Sequence, residues 1–323
     1  MKFGIYAGTV GTSMWVSEDG GEEWIRPYDN AGLYLECRVF SLTSRPHLGK
    51  DVLLGTDQGL YRWRGPERKW EHIPGVLDEH PIWALEQSPH DPNVMLAGVR
   101  PAALYRSEDG GETWARLPVE LAKTCIFVDE TRVTRILFDP VDHNLVWAGV
   151  EIDGVWRSRD GGCNWEKCCR GMVSEDIHGL CSVYESGQRK LFATTNKGLF
   201  FSRDDGETWN QMLLDSQWQY TRTIVQRADN TGVMFLTNGN GPPGSAGRLF
   251  RSNDYGAAWK ECELPGTSNS TMWCVATHPA ASDLVYACNN FGQIWKSQDG
   301  GNSWSKLKRE FGEIRALILR PLE

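Results

Sequence analysis

Short apolar runs recur along the chain at intervals of about 45 to 50 residues, each ended by a turn rich in Gly, Pro or Asp. The clearest unit opens with Pro81-Ile82-Trp83-Ala84-Leu85-Glu86 and stops at Ser88-Pro89. It resumes over 93–98 and 103–106, and ends with Thr113-Trp114-Ala115-Arg116-Leu117. Runs of this length, bounded by turn residues, predict strands, and four per unit predict one blade of a β-propeller. The same order of events fits residues 38–72, 132–166, 177–210, 222–260 and 272–305.

Between the third and fourth strand of most units stands Ser-x-Asp-x-Gly-x-x-Trp. Copies begin at Ser17, Ser107, Ser158, Ser202, Ser252 and Ser297, and a decayed one spans 62–70 without the Asp. An Asp followed by Gly makes a tight turn, because the carboxylate accepts from downstream N–H groups and Gly takes positive φ. The Trp offers a large apolar plate to a neighbouring unit. Six repeated acids are more than any catalytic site uses, so these boxes read as fold. Residues 3–27 supply three strands of a further unit, and 312–321 supply a first strand with nothing after it. Pairing them closes the circle and hides both sheet edges. The expectation is an all-β chain, a single domain over 1–323. It is a seven-bladed propeller of four-stranded antiparallel blades, with the C-terminal strand 312–321 completing the N-terminal strands 3–27.

The boxes resemble the bacterial-neuraminidase, or Asp-box, repeat. The chain as a whole is similar to the propellers of photosystem II assembly factors, of xyloglucan-type glycoside hydrolases and of sortilin-like receptors. That resemblance implies the propeller fold and a choice among hydrolase, receptor and assembly factor. The Arg-Ile-Pro motif of sialidases has its nearest match in Ile25-Arg26-Pro27, in the wrong order and on a fourth strand. The resemblance therefore does not extend to sialidase activity.

A formal net charge of −8, without a basic tail, disfavours nucleic acid as a partner. No apolar run is long enough to span a bilayer, and none near the start reads as a leader. Nine cysteines without regular spacing or a CxxC pair suggest reduced thiols and a cytoplasmic protein.

In a propeller the first strands line the central channel, and the boxes lie on the face opposite their starting ends. Counting back from each box places Arg38, Trp83, Arg132 (or Arg135), His178, Arg222, Trp273 and Arg315 around one mouth. The adjoining loops add Asp57, Glu151, Asn196, Asn290, His80 and Tyr220. Arginine forks suit a carboxylate, phosphate or sulfate, and tryptophans suit the face of an attached ring. The sequence thus predicts a funnel for a small anionic or sugar-like ligand, worked on by a hydrolase or lyase. His178 or His80 would carry the proton, with Glu151 or Asp57 beside it. Replacing His178 with Ala would then abolish turnover and leave the melting temperature unchanged. The alternative is a non-catalytic scaffold that grips an acidic protein segment with the same face. No cofactor is expected, although His80, His178, Glu36 and Glu151 would suit a divalent ion if they met in space.

Overall fold

Hydrogen-bonded pairing gathers the strands into seven antiparallel sheets whose inner strands contact one another in cyclic order. The computed structural model describes residues 1–27, 32–44, 51–64, 69–126 and 129–322. The inner strands are Val39–Thr43, Ile82–Gln87, Val133–Phe138, Ile177–Glu185, Tyr220–Gln226, Met272–Ala276 and Ile314–Pro321. They belong in turn to blades 2 to 7 and, for the last, to blade 1. Blade 1 closes the propeller: Ile314–Pro321 pairs with Phe3–Thr9, which pairs with Met14–Ser17. Its fourth position is a single bridge between Val16 and Ile25. The seven-bladed architecture and its closure are those expected from the repeats. A two-stranded hairpin, Thr124–Cys125 with Asp129–Glu130, stands outside the blades. Among the described residues no helix is long and apolar enough to cross a membrane.

The apolar core lies between blades. Ala84, Leu96 and Leu104 of blade 3 pack with Val133, Ile136, Phe138 and Val146 of blade 4, all buried. Such contact needs close approach, and Gly149 shows why. A Cβ there would stand 2.6 Å from Ile177 of the next blade. The outer strands are short, as in Ala115–Arg116 and Glu166–Lys167, which limits exposed sheet edge.

Each box is a closed hydrogen-bonded turn. Ser107 Oγ donates to Asp109 Oδ1 (2.7 Å) and accepts from Gly111 N–H (2.9 Å). Asp109 also accepts from the N–H groups of Glu112 and Thr113 and from Thr113 Oγ1. Gly110 N–H donates to Asn93 O, which places the box beside the turn from first to second strand, away from the mouth. In the decayed box, Gly65-Pro66-Glu67-Arg68 lie outside the described residues.

The residue before the box serine reaches the box of the following blade. Arg106 Nη1 donates to Gly161 O (2.6 Å), Arg157 Nη1 to Asp205 O (3.0 Å) and Arg251 Nε to Gly300 O (3.2 Å). Lys296 Nζ donates to Gly20 O (3.4 Å), and Arg62 Nη1 to the Glu112 carboxylate (2.5 Å). Blade 5 carries Phe201 at that position, and Lys190 substitutes from the second strand, 3.3 Å from Gly256 O. Each box therefore serves as a turn within its blade and as an acceptor for the blade before it.

Hydrogen bonds from Thr113, first its hydroxyl and then its N–H, lower the pKa of Asp109 to about 2, and Ser303 does the same for Asp299. A carboxyl whose folded pKa is depressed contributes stability above its unfolded pKa of 3.8 and loses it as pH falls toward about 2. Asp109→Asn should therefore lower the thermal midpoint by roughly 2–4 °C at pH 7. The gap should close when both proteins are melted near pH 2. A gap that is equal at both pH values would contradict this role.

Candidate functional site: an arginine and tryptophan funnel

The seven inner strands enclose a channel of about 710 Å³. Near its start every inner strand slips register against its neighbour. Ile82 pairs with Val99 but Ala84 with Gly98, which leaves Trp83 bulged. The corresponding bulges hold Phe40, Thr134, His178, Trp273 and Arg315, and a wider one holds Arg222 with Thr223. A bulge re-aims its side chain, so these residues share one level at the mouth. This corrects the expected set at two positions. Arg38 and Arg132 each stand two residues before the bulge, where Phe40 and Thr134 are found. Arg38 is exposed, and its backbone N–H donates to Asp57 Oδ1 (3.0 Å).

Arg132 nevertheless joins the cluster by reaching over Trp83, with its guanidinium carbon 3.9 Å from the ring centre. Phe40 lies flat against Trp83, centroids 4.3 Å apart. Two groups at these distances cannot share a face, so the Trp83 indole is sandwiched. Arg222 stands 3.9 Å from the Trp273 ring centre. Arg315 stands 4.6 Å from Trp273 and 5.5 Å from Trp83. The tryptophans, expected to stack on a ligand, instead hold arginines. Each such contact contributes about 0.5–2 kcal/mol, more where water is excluded. Burial, first, and the neighbouring arginines lower the pKa of Arg315 to about 10. Burial likewise lowers that of Arg132, against the pull of Glu151.

The acids near the mouth are engaged. Glu151 accepts from Arg132 Nη2 at 2.5 Å, and Glu313 pairs with Arg315. Asp57 accepts from Tyr34 Oη (2.5 Å), and burial together with that bond raises the tyrosine pKa. Arg222 differs. It is 8% exposed, its Nη1 donates to Tyr220 Oη (3.2 Å), and no carboxylate lies within ion-pair distance among the described residues.

His178 packs on Tyr220, centroids 4.8 Å apart, with 2% of its side chain exposed. Its Nδ1 lies 2.6 Å from Thr221 O, and its Nε2 lies 3.2 Å from Asp176 Oδ2. Both ring nitrogens face acceptors, so the doubly protonated ring satisfies both and neither neutral tautomer does. Burial, then Arg222, lowers the imidazole pKa, and Asp176 opposes them. With both nitrogens engaged, the ring offers none to a ligand, and the acid/base role expected of it lacks a free atom. Removing it to Ala would open a cavity, so a fall in melting temperature is the expected result of that substitution.

His80 is not part of this cluster. It packs against Tyr105 at 5.8 Å. Asn196 is exposed on a rim loop, where its Oδ1 accepts from Ser174 Oγ (2.7 Å). Asn290 is buried at the mouth, its N–H bonded to Thr271 O and its Nδ2 without a hydrogen-bond partner. His80, His178, Glu36 and Glu151 do not converge. Among the described residues no group of three or more His, Cys, Asp or Glu is arranged to hold a metal ion.

Fold and site together define a seven-bladed propeller with a cationic, aromatic funnel at one mouth. No family model matches the chain. It is similar to a xyloglucanase of Paenibacillus sp., 23% identical over an alignment of 297 residues that covers 77% of this chain and 29% of that protein. It is also similar to the photosystem II assembly protein Ycf48 of Thermosynechococcus vestitus, 24% identical over 163 residues, 48% of this chain and 42% of that one. Among solved structures, the GH74 enzyme of Niastella koreensis superposes with a TM-score of 0.68 at 18% identity, over 83% of this chain and 45% of that one. Ycf48 of Cyanidioschyzon merolae gives 0.62 at 15% identity, over 87% and 89%. The chain thus spans about a third of the length of the xyloglucanases it matches. At these identities the structural likeness establishes the propeller.

Proposed function

We propose that the funnel mouth binds the carboxylate, phosphate or sulfate of a small sugar-like molecule through Arg222, Arg315 and Arg132. The observation that carries this reading is Arg222, a buried guanidinium held against an indole beside two other cations, with Asp176 acting on it from a distance and no carboxylate within ion-pair distance among the described residues. A buried charge left without a counter-ion is costly, and a ligand anion would supply the missing partner. Glu151 and Glu313 neutralise the flanking arginines and fix their direction, leaving Arg222 as the vacant seat. Binding is favoured over hydrolysis, because Glu151, Glu313, Asp57 and His178 already have partners.

A second reading, an acidic protein segment as the carrier of the anion, draws on apolar residues exposed in loops. Ile126 is 92% exposed in the hairpin whose Glu130 pairs with Arg100, and Phe291 is 42% exposed beside Asn290. One of the similar solved structures is Ycf48 bound to D1 peptide, at 14% identity. The two readings part on whether a small anion alone saturates the site. The test is calorimetric titration of the wild-type and Arg222→Met chains with monohexyl phosphate at low salt. Binding confined to the wild type supports the reading, and equal behaviour of the two overturns it.

A further inference from the structure

The channel holds a second cation below the mouth. Arg135 follows the bulge at Thr134 and projects into the lumen, where 45% of its side chain remains exposed. Its Nη2 is 4.0 Å from Glu86 Oε2, too far for a hydrogen bond, and no hydrogen-bond acceptor is paired with its guanidinium among the described residues. Among the described residues the thiols of Cys181 and Cys274, from blades 5 and 7, also act on it. Enclosure by protein lowers its pKa. At the mouth Arg222 disfavours the charged forms of Arg132 and Arg315, and Arg132 that of Arg315.

One strand gauges the depth. Arg132 and Arg315 sit by Trp83, and Arg135 sits by Glu86, three residues further along the same inner strand. At the rise of a β-strand the Cα atoms of Trp83 and Glu86 are roughly 10 Å apart, and the Arg135 side chain, rooted one residue past the bulge at Thr134, extends to the lower of them. The lumen lining includes Ser41, Ala84, Ile136, Cys181 and Ile224, none of which carries a formal charge. A channel of about 710 Å³ is of the size that receives whole small ligands.

We infer that the ligand is elongated and anionic at both ends, with one anionic group at Arg222 and the other at Arg135, and an uncharged middle spanning the lumen. This rests on the anion-binding reading of the mouth and extends it to a ligand class. An arginine whose five donors lack a hydrogen-bonded acceptor fits a second carboxylate or phosphate, for which Glu86 would yield its distant contact.

The experiment compares three probes by calorimetry: monohexyl phosphate, the bisphosphate of hexanediol and the bisphosphate of ethanediol. The wild type should bind hexanediol bisphosphate at least about tenfold more tightly than monohexyl phosphate, a gap of about 1.4 kcal/mol. The ethanediol compound, too short to reach both levels, should show no such gain. Arg135→Gln should erase the gain and leave monohexyl phosphate affinity within about twofold, while Arg135→Lys restores part of it; thermal melts verify that both variants fold. Equal affinity for the two hexyl compounds in the wild type, with Arg135→Gln silent, overturns the second seat and leaves the mouth reading standing. Failure of every probe to bind overturns both.

Discussion

Replacing Arg222 with methionine is expected to weaken monohexyl phosphate binding by about 100-fold while leaving the thermal midpoint unchanged or higher. The argument joins two observations. The guanidinium is buried against Trp273 and bonds to Tyr220 Oη, with no carboxylate in range among the described residues. Its charge is thus a burden to the unliganded fold and a resource to the liganded one. Methionine keeps much of the apolar stem, packs on the indole and abolishes the charge. It also relieves the pressure on Arg132 and Arg315, whose charged forms Arg222 disfavours. A structural arginine would behave in the opposite way, with its loss lowering the midpoint and sparing any ligand. Calorimetry and melting curves on the same two proteins separate the cases. A large drop in midpoint with binding intact would contradict the account.

The second large effect concerns the clamps between blades. Arg157 has 3% of its side chain exposed. It donates to Glu166 Oε1 (2.5 Å), Glu207 Oε1 (2.6 Å) and Asp205 O (3.0 Å), and thereby ties blade 4 to the box of blade 5. Arg157→Met should cost about 3 kcal/mol, read as a fall in the denaturation midpoint at constant slope. The two glutamates are about half exposed and regain water, so the cost falls on the lost bonds and the Asp205 carbonyl. Arg159 provides the control. It reaches the same Glu207 carboxylate at 3.0 Å, but half of its side chain is in solvent. Its replacement by Met should move the midpoint little, as exposed ion pairs contribute little. Equal losses for the two variants would mean that burial does not set the strength of the clamp.

Much of this architecture is legible in the amino-acid order because the box repeats. Ser17, Ser107, Ser158, Ser202, Ser252 and Ser297 set the phase of the blades. Counting back from them reaches Trp83, His178, Arg222, Trp273 and Arg315 within one level of the mouth. The count slips at Arg38 and Arg132, because a bulge inserts a residue without any mark in an apolar run, and the rim loops vary in length. The clamp had a visible signal: Arg106, Arg157, Arg251 and Lys296 each precede a box serine. Lys190, which performs the same task from another strand, had none. Side-chain pairing is a matter of distance between blades, so the bonds of His178 to Asp176 and Thr221 could not be read from spacing. Nor could the sandwiching of Trp83 between Phe40 and Arg132, which changes that residue from a platform for ligand into a support for arginine.

An anion at Arg222 would be located by anomalous diffraction from crystals soaked in selenate, a sulfate analogue that marks its own position. A selenium peak is expected within hydrogen-bonding reach of the Arg222 guanidinium, on the side toward Arg315. Selenate bound elsewhere on the protein, with the mouth of the funnel empty, would contradict it.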